Sequence, residues 1–506
     1  MEKIVNQAGE INLKNIRNVS NKIFVSQIEI ILAYHCPELR KCGILLKENS
    51  ENFKEEHIMT DRQQLIVKNV DQVKPMILEA ERWLWAHPQT GFTEWQANGY
   101  LTDKFEALGY TLTQAGNIPG FYTDVDTGKP GPTLVIMGEL DALDIANHPE
   151  SVNGMTHCCG HHAQAAALLG IAAALKQPGA LDGLCGKIRL MAVPAEEMIQ
   201  LGFREKLRKE GTITFFAGKI ELMNRGFFDD VDIAFMVHGS STTPDSPIDF
   251  SCSSGNNGCI MKTLRFKGKS AHAGGSPHLG INAEYAAMLG MQAANDLRET
   301  FREKDMVRFH PVVMGVNSAV NIIPDELVVE SHVRAKTLAA IAFENKKINR
   351  AMAGGALAMG AGVEISDRPG HSPAFHDPTL MKLAEKCCCE LVGEEHVSFD
   401  YDEWQTGTTD FGDVTQIMPG VQFNASGASG VVHGIDYKVT DPNRLCVNSA
   451  KAQLFLADAL LGNNAAAAKE IIENYKPAYT SIPEFLETAN KLILDKDAVK
   501  YDENGD

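Results

Sequence analysis

Thr133-Leu134-Val135-Ile136-Met137-Gly138-Glu139-Leu140-Asp141 is the stretch from which the fold can be read. Its apolar run is short, ends at a glycine and has no polar face, which predicts a strand buried on both sides. Working outward, residues 187–193 and 233–237 read as two more strands of the same kind, and residues 164–175 as an apolar helix. Such alternation implies an α/β domain with a largely parallel sheet. Sites in open α/β sheets lie beyond the carboxyl ends of the strands. Asp141 follows the first strand directly, Glu196-Glu197 follow the second through Pro194-Ala195, and His238-Gly239 end the third. His433-Gly434 sit in a Gly- and Ser-rich loop late in the chain. A polar residue at one strand end is usually a turn residue. A series of them at successive ends predicts a site.

His157-Cys158-Cys159-Gly160-His161-His162 opens the alanine-rich helix. A thiolate and an imidazole two positions apart suit zinc, cobalt or manganese-type divalent ions. The alternative is that these are capping and buried residues. Glu196 and Glu197, side by side, would repel each other in a dry site unless a cation compensates, which favours one as ligand and the other as base.

Composition narrows the function class. The chain has 506 residues, 44% hydrophobic and 22% charged, ordinary for a globular enzyme of two domains or more. A formal net charge of -18 argues against nucleic acid or an anionic membrane as partner. Eleven cysteines, several adjacent (Cys158-Cys159, Cys387-Cys388-Cys389), do not make a disulfide scaffold and fit a reducing cytoplasm. No signal peptide is expected from the first residues, and no apolar run reaches membrane-spanning length.

Residues 1–58 differ from the remainder, with scattered charges and one apolar run at 28–33. They read either as an extension ahead of a start at Met59 or as a small element packed on the main domain. A helical pattern follows through Ile66, Val70, Val73, Met76, Ile77 and Ala80. Residues 59–250 are expected to form the first part of the catalytic domain. After a Ser-, Gly- and Asn-rich break, residues 251–370 read as an inserted α+β unit: strand (261–267), helix (282–298), strands (307–316 and 326–334) and helix (338–359). Residues 371–462 complete the catalytic domain, and the tail from 463 to 506 is helical by propensity.

Together these motifs resemble those of the co-catalytic metallopeptidases and amidohydrolases that include aminoacylase, carboxypeptidase G and the auxin-conjugate amidohydrolases. The matching pieces are Gly138-Glu139-Leu140-Asp141-Ala142-Leu143, His157-Cys158-Cys159-Gly160-His161, Pro194-Ala195-Glu196-Glu197 and Val237-His238-Gly239. They continue with Gly268-Lys269-Ser270-Ala271-His272-Ala273, Asn321-Ile322-Ile323-Pro324-Asp325, Gly407-Thr408-Thr409-Asp410-Phe411-Gly412-Asp413 and Gly430-Val431-Val432-His433-Gly434. Order and spacing agree from about residue 65 to 460. Within the family the chain is similar to bacterial amidohydrolases of the aminobenzoyl-glutamate hydrolase type.

The resemblance implies a two-domain α/β fold with a metal-bearing catalytic domain and an inserted lid that also dimerises. It implies Cys159, His161, Glu197, His238 and His433 as ligands of two divalent ions (manganese, zinc or cobalt), and Glu196 as general base. It implies His272 as a lid histidine serving the active site of the partner chain, with Asn321 and Arg334 near a substrate carboxylate. The expected activity is metal-dependent hydrolysis of a small amide substrate, an N-acyl amino acid or an aminobenzoyl-glutamate-like conjugate. A dipeptidase, or a non-catalytic metal-binding relative, is the alternative; intact Glu196 and His272 argue against the latter. The chain departs from the family pattern at His162 (commonly Asp), Gln164 (commonly His), Glu139 (often Asp) and Thr409 (often Glu). These changes bear on substrate choice and on the groups around the ligands.

Overall fold

The computed structural model describes residues 59–243, 245–315 and 318–501. The first 58 residues, with the apolar run at 28–33, lie outside the described residues. So does the last residue of the strand expected at 307–316.

Helix α1 (Asp61–Trp85) begins at a capping box: Thr60 accepts from the Gln63 amide, and Gln63 reaches back to the Thr60 amide. Its buried stripe is Ile66, Val70, Val73, Ile77, Ala80 and Leu84, spaced for one helical face. Strand β1 (Phe121–Asp126) leads into β2 (Thr133–Glu139), whose seven residues are all buried. Helix α2 (His161–Leu175) follows, then β3 (Lys187–Val193) and β4 (Ile233–Ser241).

β2 shows why the apolar run needs no polar face. Leu134 and Ile136 pack into one core with α1 and α2, while Val135 and Met137 pack into a second core with Phe215, Ile220 and Phe411. Every residue of α2 is buried. Its alanines let it lie close against β2: a Cβ added at Gly138 would stand 3.2 Å from the Ala165 Cα.

The second, inserted layer starts with β5 (Gly258–Lys267) and continues with α3 (Ala283–Asp296), β6 (Arg308–Val313), β7 (Glu326–Ala335), α4 (Leu338–Ala358) and β8 (Gly362–Pro369). The chain then returns through α5 (Pro378–Val392) and β9 (Gly420–Ser429) to α6 (Ser449–Asn474). In the large sheet β3, β2, β4 and β9 are neighbours in that order and mutually parallel, with β1 antiparallel on the outer side of β3. Four parallel strands therefore deliver their carboxyl ends to one edge.

The inserted sheet is antiparallel throughout, in the order β6-β7-β5-β8-β10, where β10 is Leu494–Val499. β7 alternates strictly. Leu327, Val329, Val333 and Ala335 face α3 and α4, while Glu330, His332 and Arg334 lie on the opposite face.

The tail is helical as far as Asn474 and again over Ile482–Asn490, but not throughout. α6 breaks at Gly462–Ala465, where Asn463, Asn464 and Ala465 have φ of 48, 57 and 57°, and a helix at Ile482–Asn490 follows. Residues 494–499 then become a strand, because Leu494, Ala498 and Val499 find the core of the inserted sheet and Asp495 meets Arg368 and Ser366. An open sheet edge overrides propensity here.

Candidate metal centre

At the carboxyl edge of the parallel strands each ligand candidate arrives from a different element. Gly160, at φ 89°, turns the chain so that Cys159 and His161 face the strand ends. A side chain there would run into the Tyr437 hydroxyl at 2.9 Å. Ala195, at φ 58°, bends the loop after β3 so that Glu196 and Glu197 enter the site. His238 comes from β4, and His433, at φ 64°, from the loop after β9.

These residues converge. The ligand atoms of Cys159, His161 and His238 lie within 4.8 Å of one another, and so do those of Cys159, Glu197 and His433. The two groups share the Cys159 sulfur, so five residues form two three-donor sets with a common member. Cys159 Sγ is 3.4 Å from His238 Nε2, and His433 Nε2 is 3.0 Å from Glu197 Oε1. His161 Nε2, Glu196 and Glu197 also come within 4.8 Å.

The donor set fits dications. The His161 Nδ1–H donates to Asp141 Oδ1 at 2.9 Å, and the His238 Nδ1–H to the Gly239 carbonyl at 2.7 Å. That tautomer leaves both Nε2 lone pairs for a metal. His161 Nε2 is buried and has no hydrogen-bond partner. Burial, then the facing Glu197 carboxylate, push the Cys159 thiol well up, so it ionises readily only against a cation. Burial works to lower the His161 pKa, but Cys159, Glu139 and Asp141 outweigh it and hold the ring well above its usual range. A site with this surplus of anionic groups asks for positive charge, and a dication would replace that proton.

The two adjacent carboxylates are set apart. Burial, and next the neighbouring Glu197, raise Glu196 well above the usual carboxylate range. Burial opposes ionisation of Glu197 too, yet the hydrogen bond and charge of His433 bring it down to about 2. Such a split is what separates a proton carrier from a permanently ionised ligand.

Asp141, read from its strand-end position as a possible ligand, stands one layer back. Its Oδ2 accepts from the Glu197 amide at 2.8 Å while its Oδ1 orients His161. His162 also points away from the ligands, 3.4 Å from Glu81 on α1 and edge-on to Trp85. Gln164 donates to Glu139 at 2.9 Å, and Glu139 Oε2 itself stands 3.3 Å from His161 Nε2.

Several residues that shape the site escape sequence reasoning. Lys219 is fully buried and its Nζ lies 2.5 Å from both Glu139 and Asp410. Arg204, also buried, donates to the Glu197, Ala195 and Phe216 carbonyls. Glu94 accepts from the Ala195 amide at 2.7 Å. The one readable sign was a lysine inside the apolar run Phe215-Phe216-Ala217-Gly218-Lys219-Ile220.

The lid candidates are placed differently. Arg334 lines a cleft of about 400 Å³ with His310, His332, Met198 and Gln200, directly after the Glu196-Glu197 turn. His272 is exposed and bridges to Ile322, its Nδ1 accepting from the Gly275 amide at 2.8 Å. Asn321, next to that bridge, accepts the Ala273 amide through its carbonyl at 2.9 Å. Within one chain, no hydrogen bond or ion pair among the described residues joins His272 or Asn321 to the ligand cluster.

The chain is similar to several known proteins. The chain is 28% identical over 332 residues to a p-aminobenzoyl-glutamate hydrolase subunit of Escherichia coli (strain K12), covering 63% of this chain and 70% of that protein. It is 26% identical over 427 residues to the indole-3-acetyl-aspartic acid hydrolase of Enterobacter agglomerans, covering 74% and 91%. Its fold matches that of a dinuclear metal binding peptidase of the M20 family from Bacillus subtilis, with a TM-score of 0.56 at 20% identity over 77% of this chain and 99% of that one. With residues 135–451 matching the model of peptidase family M20/M25/M40, the chain belongs to that family.

Proposed function

We propose that the protein hydrolyses the amide bond of N-acyl amino acids or aminobenzoyl-glutamate-like conjugates, with two divalent ions held by Cys159, His161, Glu197, His238 and His433. The observation that carries this reading is the pair of three-donor sets sharing Cys159, with Glu196 beside them. Manganese, zinc and cobalt all suit a set of one thiolate, three imidazoles and a carboxylate. Bound dications supply Lewis acidity and bring the pKa of water towards neutrality.

The chain's own residues do the rest. Glu196 takes the proton of the attacking water and hands it to the departing amine, a task suited to a carboxyl held above its usual range. Asp141 keeps the His161 ring in register, and Arg204 with Glu94 holds the turn that carries both glutamates. Arg334, in the cleft beyond that turn, takes the substrate carboxylate, with Asn321 as a further lid contact. His272 is exposed and no hydrogen bond or ion pair among the described residues joins it to its own ligand cluster, and in this reading it serves the site of a second copy in a homodimer formed through the lid, where it hydrogen-bonds the developing oxyanion. The cleft disfavours long peptides. The free cysteines, mostly buried, suit a reducing cytoplasm, and no helix among the described residues is long and apolar enough to cross a membrane.

The test is a panel of p-aminobenzoyl-glutamate, N-acetyl and aromatic N-acyl amino acids and dipeptides, each assayed with added manganese, cobalt or zinc. Hydrolysis of acylated amino acids ahead of dipeptides is expected. Turnover confined to dipeptides would replace the substrate assignment, and no turnover with any metal would remove it.

A further inference from the structure

The chain crosses between its two layers twice, at residues 257–258 on the way into β5 and 370–373 on the way out of β8. The two crossings are tied together. The Cys259 amide donates to the His371 carbonyl at 2.7 Å, and the His371 amide to Cys259 Sγ at 3.4 Å. They are also packed without slack: a Cβ added at Gly258 would lie 2.5 Å from the Pro373 nitrogen, and one at Gly370 would lie 2.6 Å from Cys259 Sγ.

The ring of His371 projects from this junction into the catalytic layer and is 3% exposed. Its Nε2–H donates to the backbone carbonyl of Glu196 at 3.1 Å. Burial, and then the nearby His332 and Arg334, push its pKa down to about 3, so the ring is a neutral single donor. His332, from β7 of the lid, lines the same cleft as Met198. A junction residue thus holds the glutamate turn at Glu196, with Arg204 holding it at Glu197. The turn needs such restraint, since it departs from Ala195 in the left-handed region.

We infer that His371 is a positioning residue for Glu196, transmitting the position of the lid junction to the backbone of the general base. The inference rests on the role proposed above for Glu196. It adds that the base is placed by the lid's exit strand and not by the catalytic layer alone. An error of about 1 Å in such a group costs on the order of a hundredfold in rate, which makes one hydrogen bond to its carbonyl consequential.

The test compares wild type with His371→Leu, which fills the space without a donor, and His371→Gln, whose amide places a donor near the former Nε2. Two readouts are taken. In metal-free protein, hydrogen–deuterium exchange is followed over residues 194–202. In manganese-loaded protein, kcat and KM for p-aminobenzoyl-glutamate are measured with the bound metal counted. His371→Leu should exchange about tenfold faster in that segment and lose kcat by roughly tenfold or more, with KM and metal content near wild type. His371→Gln should recover most of both. Should the leucine chain not fold, His371→Asn, whose amide is too short to reach the carbonyl, replaces it. Wild-type exchange in the donorless variant, or loss that glutamine does not recover, overturns the inference. Because the exchange arm needs neither metal nor substrate, it decides the positioning role even if p-aminobenzoyl-glutamate is not turned over.

Discussion

Glu196 and Glu197 are chain neighbours with opposite electrostatic settings. Glu197 has His433 at 3.0 Å, whereas Glu196 faces the carboxylates of Glu197 and Glu139. Glu196→Gln is therefore expected to keep the metal and lose turnover by about 10²-fold or more. Glu197→Gln is expected to lose metal affinity first. Metal analysis alongside turnover checks both, and the reverse pattern would exchange their roles.

A second residue-scale prediction concerns pH. His376, buried and bonded through Nδ1 to the Ser253 carbonyl at 2.7 Å, has its pKa pushed down to about 4 by burial. The unfolded chain accepts a proton below about 6.5 that the folded state refuses until about 4. Stability is therefore lost as pH falls from about 6.5 to 4, at roughly 1.4 kcal/mol per pH unit for this group. His376→Phe should flatten the decline between pH 7 and pH 5 in urea titrations. An unchanged slope would show that His376 is protonated in the fold. Strand ends and metal-type ligands were legible because their chemistry is local: Cys159, His161 and His238 sit in recognisable sequence contexts. Lys219, Arg204 and His371 were not, because each acts on a residue brought near only by the fold.

At the scale of elements, the apolar run of β2 announced itself because two cores claim its alternate residues, and α2 because it is buried on every face. The strand β10 could not be read in Leu494–Val499, since its burial pattern is largely exposed and its partner β8 lies more than a hundred residues away. Its role is testable. Deleting the residues after Asn474 uncovers the niche of Phe485 and the β8 edge, and removes the Asp495 partner of Arg368. The thermal midpoint should fall by about 1–2 °C, the shift that a loss of about 1–2 kcal/mol produces in a chain of this size. An unchanged midpoint would mean the strand adds no stability. Lys219→Met, which strands Glu139 and Asp410 as buried carboxylates without their cation, should cost more, about 3–5 kcal/mol in denaturant titration. A cost below about 1 kcal/mol would mean the two carboxyls share a proton instead.

For the whole molecule, the proposed crossing of His272 into a second copy makes a quantitative prediction. His272→Ala and Glu196→Gln chains, each nearly inert, should regain activity when mixed and allowed to exchange between dimers. Recovery is at most about a quarter of wild type, since half the dimers are mixed and each has one complete site of two. No recovery despite demonstrated exchange would place His272 outside catalysis or within its own chain's site. The central claim is more basic: two divalent ions sit in the sets built around Cys159, and hydrolysis depends on them. It is tested most directly by counting metal in the purified protein, stripping it with a chelator and restoring it, with p-aminobenzoyl-glutamate hydrolysis followed throughout. The account predicts two divalent ions per chain in the active protein, loss of turnover on stripping, and recovery with manganese, cobalt or zinc, but none of these in Cys159→Ser. Full turnover by a chain stripped of metal, or by Cys159→Ser at wild-type rate, would contradict it.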